Sequence, residues 1–481
     1  MKRLTNKCKD GIVERGNSTL ALKAGFWYMI GNFSAKAVAF ITTPIFARLM
    51  IPFYYGEFMN FAGWVQILSL AVGVELFETL NRAYYDFKED YDSYISSVTF
   101  LGCAITFCFY TVFLLFQDFI LKIITIPKEF IHLLFLFLLF SFCRSVFYAR
   151  ERALYKYKSV AFITFISLFI PTLLSALLVY FLPENKQLSA RLYGFYLTSA
   201  FIGMYCAISL FSKSRVFKWS YCKYGLYLSI PLLMQYLSAQ MLNSTNVIIT
   251  KNVLGASEAA LISIAASTTN ILMVLFQAMS GALKTWIMDN LEINRIETVK
   301  NGSFLYFIFL ALITILIVLF TPEVVYILGG DKYLGAISLV PGLVFATFIQ
   351  AITIFFTIIL TYDKNVKATA FYTAIVSIIG IIVKVFFLSD NGLISLVVIN
   401  VLVFFALFMI NYLLVKKAGY ANVISIKGTA LILSVIGILT VFSEYLYRFS
   451  AIRYTCIIFF IVASIFTGLL KRNMIDEMLN K

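Results

Sequence analysis

The sequence predicts an all-α integral membrane protein, and three observations support that prediction. The first is composition, because 61% of the 481 residues are hydrophobic and only 13% are charged, whereas a soluble domain has about 25% charged residues. The second is a mean hydropathy of +0.90. The third is a series of apolar runs, each close to the roughly 20 residues that a helix needs to cross a bilayer.

Fourteen such runs follow one another along the chain, and this predicts about 14 transmembrane helices. They cover residues 24–47, 58–80, 96–117, 130–149, 158–182, 190–211, 227–250, 256–282, 301–321, 336–361, 368–388, 392–415, 428–445 and 451–470. The connections between them are short and leave no room for a soluble catalytic domain. We therefore expect a transporter rather than an enzyme, without catalytic residues, cofactor or metal site.

The basic residues predict how the spans are oriented. The net charge is +15, and with the N-terminus in the cytoplasm 27 of the 39 lysines and arginines fall in inner segments and 9 in outer segments. Lys36, Arg144 and Lys384 lie well inside the runs, and cations at the run ends are counted with the adjacent segments. This bias follows the positive-inside rule and gives no reason to expect a nucleic-acid partner. It predicts that both termini are cytoplasmic.

The chain is predicted to contain two six-helix lobes and two further C-terminal helices. Spans one and seven are both rich in small and polar residues, and a glycine-containing turn follows each. In repeat transporters the substrate site lies at the interface between the halves. The predicted parts are a cytoplasmic tail 1–23, an N-lobe 24–211, a cytoplasmic inter-lobe linker 212–226, a C-lobe 227–415, spans thirteen and fourteen in 428–470, and a cytoplasmic tail 471–481.

Lys36 is the residue that points most directly to function. It lies near the middle of the first apolar run, Gly25–Met50, where a charge costs about 2.5–3.5 kcal/mol. It is too far from either end of the run to reach the headgroups. We therefore expect Lys36 to face a water-filled cavity or a bound anion, with a structural ion pair as the alternative. Asn32 precedes it by one helical turn and shares its face.

Further cations lie at or near span ends and could form a cationic cavity together with Lys36. They are Arg48 near the outer boundary, Arg82, Arg144 and Lys284 toward the inside, and Lys384 toward the outside. Each could instead extend to the membrane surface as a boundary residue. Guanidinium and ammonium groups are what a phosphate or diphosphate group requires.

The polar residues of the spans suggest a wet surface. Span seven is unusually polar and includes Asn243 and Asn246, and span eight adds further hydroxyls and amides. Such side chains can join helices at roughly 0.6 kcal/mol each, but their number favours a cavity wall that suits sugars or water. Glu75 and Glu78 are acids in span two. Glu75 could carry a proton, or it could form a fixed ion pair with Lys36 or Arg82.

The segment Gly25–Ser97 resembles the N-terminal signature of the polysaccharide flippases, which belong to the multidrug/oligosaccharidyl-lipid/polysaccharide exporter superfamily. The matching residues read FWYMIGNFSAKAVAFITTPIFARLM, IPFYYGEF and NRAYYDFKEDYDSYISS. The last piece resembles the inner loop of O-antigen and capsule repeat-unit flippases. Span seven matches more loosely, because Thr245, Asn246 and Val247 stand where many relatives have an Asp-Arg pair.

The resemblance implies two six-helix lobes around a central cavity that opens to each side in turn. It implies a multi-pass protein of the bacterial plasma (inner) membrane. Such a protein moves undecaprenyl-diphosphate-linked oligosaccharides of O-antigen, capsule or exopolysaccharide to the outer leaflet, coupled to an ion gradient. The implied partners are this lipid-linked substrate, membrane lipids, and a polysaccharide polymerase with its chain-length regulator. The candidate substrate-binding residues are Lys36, Asn32, Arg48, Arg82, Arg144, Asn243, Asn246 and Lys284, and Glu75 is the candidate ion-coupling residue.

Three other functions are compatible with parts of the sequence. A lipid II flippase would share the cationic cavity and the fourteen spans, and only the loop at Arg82–Ser97 favours the repeat-unit class. A multidrug or toxin exporter of the same superfamily would bind cations and need an acidic cavity, whereas the charges in these spans are mostly basic. A glycan polymerase or ligase needs a large outer loop, and the outer segments here are short.

Overall fold

The described part of the chain is built from helices. A computed structural model describes residues 38, 40–363 and 366–470, and within these ranges every regular element is helical. Helices suit a bilayer because they satisfy the backbone N–H and C=O groups internally, where no water is available to do so. The all-α integral membrane fold predicted from the sequence is confirmed.

The first compact unit of the chain extends to Ala260. Its helices are α1 (Phe40–Leu49), α2 (Pro52–Gly73), α3 (Leu80–Asp86), α4 (Tyr91–Leu115), α5 (Gln117–Ile123), α6 (Ile131–Ala153), α7 (Tyr157–Phe181), α8 (Gln187–Leu192), α9 (Thr198–Phe211), α10 (Trp219–Leu254) and the beginning of α11 (Ala256–Glu292). A π-helical turn, Tyr193–Leu197, joins α8 to α9. The unit extends beyond the predicted linker 212–226, and the lobe boundary stays a prediction.

The second compact unit begins at Leu261. It contains the rest of α11, α12 (Ile296–Leu319), α13 (Thr321–Gly329), α14 (Val340–Tyr362), α15 (Val366–Lys417), α16 (Ile426–Arg448) and α17 (Ser450–Leu470). The helix α15 is interrupted at Gly392, where φ is 63° and ψ is −164°. Only glycine adopts such angles readily, so the predicted spans 368–388 and 392–415 are the two sides of this kink.

Helices occur at the positions of the predicted spans. Among the described residues, nine helices are long and apolar enough to cross a membrane, and a bent pair formed by Pro52–Gly73 and Leu76–Asp86 would be a tenth. The long helix α10, which contains predicted span seven, is not among the nine. The first predicted span is represented by α1, and its residues Asn32 and Lys36 lie outside the described part of the chain.

A bend interrupts the predicted span 58–80, whose two parts qualify as a membrane span only when they are taken together. The helix α2 ends at Gly73, and a bend of 50° separates it from the segment Leu76–Asp86. At the bend, Val74 and Glu75 have φ values of 46° and 51°. A β-branched residue is rarely found in this left-handed region. Glu75 and Glu78 interrupt the apolar pattern at the bend, but acidic residues alone do not specify the backbone angles.

Helices α4, α6 and α9 pack closely because glycines lie at their contacts. A Cβ atom on Gly102 of α4 would overlap the ring of Phe142 in α6, and one on Gly203 of α9 would overlap the backbone of Phe140. Small residues at helix contacts are typical of membrane proteins, in which close van der Waals packing holds helices together. These three helices form the wall of a groove described below.

Candidate functional site

The structure places the predicted site residues in different surroundings. Asn32 and Lys36 lie outside the described residues. The side chains of Arg48, Arg82, Asn243 and Lys284 are exposed, whereas Arg144 and Asn246 are half-buried. Arg82 forms an ion pair with Asp86, with 3.4 Å between Nε and Oδ2. The guanidinium of Arg144 lies 5.9 Å from the centre of the Phe137 ring on the same helix.

A group of polar side chains connects α2 to α10. Gln240 of α10 donates a hydrogen bond of 2.5 Å to Oε1 of Gln66 in α2, and Ser244 donates one of 3.0 Å to the same oxygen. Gln240 also donates to the Ser244 hydroxyl at 2.5 Å. Asn243 lies beside Ser244 and is exposed. We call Gln66, Gln240, Asn243 and Ser244 the polar patch.

The polar patch lies within the predicted spans. In the predicted span 227–250, Asn243 lies seven residues from the outer end, which corresponds to roughly 10 Å along the axis at 1.5 Å per residue. A bilayer core is about 30 Å thick, so this position falls inside the apolar region expected for that span. The Gln66 and Asn243 side chains are exposed there. Because amides lose their hydrogen bonds in contact with lipid chains, the polar patch must face water or a polar ligand.

Two features fix α2 against α10 around the polar patch. At the end near Leu254, the ammonium of Lys251 lies 3.3 Å from a carboxylate oxygen of Glu57 and donates a 3.0 Å hydrogen bond to the carbonyl of Thr125. Nearer the middle, the side chain of Ile248 packs where Gly63 has no Cβ. The side chains of the polar patch therefore lie on two helices, α2 and α10, whose distance from each other is set by direct contacts.

Glu75 occupies the bend that follows α2. Its side chain is only 3% exposed, and among the described residues it forms no ion pair. Glu78 lies one turn further along and is exposed. The left-handed backbone at Val74 and Glu75 costs on the order of 1–3 kcal/mol per residue and is found most often at functional sites. The resulting position is a buried acid at a break in a membrane span.

Arg191 stands at the beginning of the predicted span 190–211, and the structure buries it in α8 with 6% of its surface exposed. Its guanidinium carbon lies 3.4 Å from the centre of the Phe46 ring in α1 and 4.3 Å from that of Phe58 in α2. A guanidinium nitrogen donates to the Ser175 hydroxyl of α7. Arginine tolerates such surroundings because its planar group is weakly hydrated and stacks on rings. No sequence pattern around Arg191 predicts that it is buried among aromatic rings.

The end of α1 is held by Gln187 as well as by Arg191. The Gln187 amide donates a 3.1 Å hydrogen bond to the carbonyl of Leu49, and its oxygen accepts one of 3.1 Å from the N–H of Ile51. These contacts satisfy backbone groups that the end of a helix leaves without partners. Arg191 and Gln187 thus anchor the end of the helix whose preceding residues include Lys36.

The beginning of α4 is tied to neighbouring elements by ion pairs. Arg150 donates hydrogen bonds of 3.0 and 2.9 Å to one oxygen of Asp92. Lys218, in the segment before α10, pairs with Asp90, and Tyr221 donates to the same carboxylate at 2.5 Å. The hydrogen bond to Asp90 raises the pKa of Lys218 above its ordinary value. The two acids are therefore bound to cationic side chains and fix the approach to α10.

Comparison with known proteins shows the fold. No family model matches the chain, and no curated protein matches it. A structure described as the lipid II flippase MurJ in an inward closed conformation has a TM-score of 0.69 at 16% identity, covering 93% of this chain and 99% of that one. An inward-facing multidrug resistance transporter of the MATE family, in the MOP superfamily, has a TM-score of 0.52 at 15% identity, covering 82% and 95%. The chain therefore has a fold found in these transporters.

Proposed function

We propose that this protein is a flippase that moves undecaprenyl-diphosphate-linked oligosaccharide repeat units from the cytoplasmic to the outer leaflet of a bacterial plasma membrane. The observation that carries the proposal is the polar patch, since the exposed amides of Gln66 and Asn243, which lie in predicted spans, match the donors and acceptors of a glycan. The fold supports it, because a protein described as a lipid II flippase has the same fold over almost its whole length.

In this proposal the two parts of the substrate headgroup bind different residues. The diphosphate is attracted by Lys36, which Asn32 assists from the same helix face, because ammonium groups bind phosphate oxygens through charge-assisted hydrogen bonds. The glycan contacts Asn243 and Asn246 of α10 together with Gln66 and Gln240. Further cations contact the diphosphate as the substrate moves, namely Arg48, Arg82, Arg144 and Lys284.

We assign ion coupling to Glu75. Burying a carboxylate without a counter-ion is costly, so this position favours an acid that binds a proton or a metal cation during the cycle. The bend at Val74 and Glu75 places the acid where a span is already interrupted. Occupation of Glu75 would then favour one backbone arrangement over another, which couples an ion gradient to movement.

A lipid II flippase is the second candidate. It is favoured by the TM-score of 0.69 with the MurJ structure, and it would use the same cationic and polar residues. The two candidates share the diphosphate and differ in the glycan and in the pathway that supplies it. Expression of this protein in a strain depleted of its own lipid II flippase distinguishes them, because only a lipid II flippase restores growth.

The role of Lys36 is tested in a strain that lacks this gene and therefore lacks surface polysaccharide. We expect the wild-type protein to restore the polysaccharide, Lys36→Ala to fail, and Lys36→Arg to restore part of it because it keeps the charge. Lys186→Ala is the matched control, since Lys186 is an exposed lysine outside the apolar runs. A normal amount of polymer with a well-expressed Lys36→Ala protein would overturn the anion-binding role.

A further inference from the structure

The first unit has a second concave surface, which the proposed transport does not use. It is a groove of about 530 Å³ between α4, α6, α9 and the segment that follows α9. We call it the lipid-facing groove. Its lining includes Phe100, Met204, Ile208, Phe211, Arg215 and Phe217.

The floor of the lipid-facing groove is closed by direct helix contact. Gly203 of α9 touches the backbone of Phe140 in α6, so close that a Cβ would overlap it. Ala207, one turn further along α9, also lines the groove and adds little bulk. The groove is thus a channel on the protein surface. Its floor is closed because α9 and α6 are in direct contact, so a ligand must enter from the side.

The side of the groove faces the hydrocarbon region. Phe100 is 54% exposed and Ile208 is 63% exposed, and both lie on helices that are long and apolar enough to span a membrane. Apolar side chains exposed on a membrane span are covered by lipid chains. An acyl chain is therefore the natural occupant of this part of the groove.

One end of the groove carries a positive charge on a fixed rim. The Ser97 hydroxyl of α4 accepts a 2.9 Å hydrogen bond from the N–H of Lys218, and its proton is shared between the carbonyls of Ser93 at 2.7 Å and Val216 at 3.2 Å. The Phe217 ring packs edge-on against Phe100 at 5.2 Å. Arg215 lies on this rim, is exposed, and among the described residues makes no hydrogen bond or ion pair.

We propose that this groove binds one anionic phospholipid of the cytoplasmic leaflet, with an acyl chain along α9 and the headgroup phosphate on Arg215. The predicted topology places the segment 212–226 in the cytoplasm, which puts Arg215 at the depth of the inner-leaflet headgroups. Basic pockets between transmembrane helices on the cytoplasmic side bind anionic headgroups, and a guanidinium matches the geometry of phosphate oxygens. The groove selects the lipid by charge, because its walls are apolar and contact any acyl chain equally.

The test is native mass spectrometry of the full-length protein in detergent, supplied with equal amounts of phosphatidylglycerol, phosphatidylethanolamine and phosphatidylcholine. We expect one phosphatidylglycerol to be retained in preference to the other two. Arg215→Gln should lower its retention about fivefold, the effect of one basic residue at an anionic surface. Lys213→Gln is the matched control, because it removes the same charge from the same segment but does not line the groove.

A second variant distinguishes binding of lipid in the groove from general attraction of anionic lipid to the basic segment. Ile208→Trp adds bulk at an exposed position in the groove and should lower retention of every phospholipid regardless of headgroup. Equal losses with Arg215→Gln and Lys213→Gln would overturn the proposal, since they indicate attraction to the whole segment. Equal retention of the three lipids by the wild-type protein would also overturn it. Neither result affects the proposed transport function.

Discussion

The polar patch and the lipid-facing groove are both exposed at membrane depth, yet their chemistry is opposite. The polar patch presents the amides of Gln66 and Asn243, and the groove presents the apolar side chains of Phe100 and Ile208. Exposure in a membrane protein can mean contact with water or with lipid, and only the polarity of the side chain distinguishes them. The two surfaces of one unit therefore favour different surroundings, water or a polar ligand at the polar patch and lipid chains at the groove.

The helices that carry the two surfaces differ in the same way. The helix α10 is 36 residues long but is not among the helices that qualify as apolar spans, whereas α4 and α9 lie in segments that do. A helix that is polar along its depth is stable in a membrane only when its polar face is covered by protein or water. The polarity of α10 is thus a property of its position beside a wet surface.

Making the polar patch apolar should have the largest effect. We expect the double substitution Gln66→Leu and Asn243→Leu to lower surface polysaccharide by at least about tenfold, because each lost hydrogen bond to substrate weakens binding by about 1–3 kcal/mol. The matched control is Phe100→Leu and Ile208→Leu in the lipid-facing groove, which should leave the polymer near its wild-type amount. Comparable losses in both double variants would remove the distinction between the surfaces.

Removing the acid at the bend should have the next largest effect. Glu75→Gln keeps the size of the side chain but cannot exchange a proton or hold a cation, so we expect transport to lose its dependence on the ion gradient. Glu78→Gln is the control, because Glu78 is exposed on the following turn. Transport into vesicles with imposed proton or sodium gradients checks this. If transport by the Glu75→Gln protein still depends on the ion gradient, Glu75 is not the ion-coupling residue.

Arg191 offers a test of the anchor at the end of α1. Arg191→Lys keeps the charge but loses the flat stacking on Phe46 and Phe58, and we expect it to lower the free energy of unfolding by about 1–2 kcal/mol. Thermal unfolding in detergent measures the change, and Arg215→Lys is the control because Arg215 is exposed. If both substitutions leave the melting temperature unchanged, the aromatic setting of Arg191 is not stabilising.

The rim of the lipid-facing groove should show the smallest effect. Ser97→Ala removes the two hydrogen bonds that the Ser97 hydroxyl makes to the segment before α10, while the Lys218–Asp90 ion pair remains, and we expect a loss of about 1 kcal/mol in stability with transport unchanged. Phosphatidylglycerol retention should fall less than in Arg215→Gln, because the charge remains. Ser214→Ala, which removes only a local bond to the N–H of Val216, serves as the comparison. A transport defect in Ser97→Ala alone would link the rim to the transport route.

The sequence predicts the helical content well because membrane spans are set by the length and polarity of apolar runs. It predicts α15 as two spans, which matches the kink at Gly392. It does not predict the bend at Val74 and Glu75, because no proline marks it and the acids Glu75 and Glu78 do not by themselves specify a bend. Left-handed backbone at two consecutive non-glycine residues is imposed by surrounding packing, which a single sequence does not encode locally.

The candidate site follows from the sequence only in part. The polarity of span seven identifies Asn243, since its side chain type alone is unusual at that depth. Gln66 is one of two amides in the apolar helix α2, the other being Asn60, and its importance appears only when the fold brings it to Gln240 and Ser244. Arg191 stands at the beginning of the predicted span 190–211, and charge patterning does not reveal that its side chain is buried. Pairings between helices far apart in sequence are what the structure adds.

The most direct test of the account is lipid movement in proteoliposomes that contain only the purified protein. A fluorescent undecaprenyl-diphosphate-linked oligosaccharide is placed in one leaflet, and its accessibility to a membrane-impermeant quencher is followed after an ion gradient is imposed. The account predicts rapid transfer with the wild-type protein and none above protein-free liposomes with Lys36→Ala or with the double substitution in the polar patch. Equal transfer by wild-type protein and protein-free liposomes would contradict it.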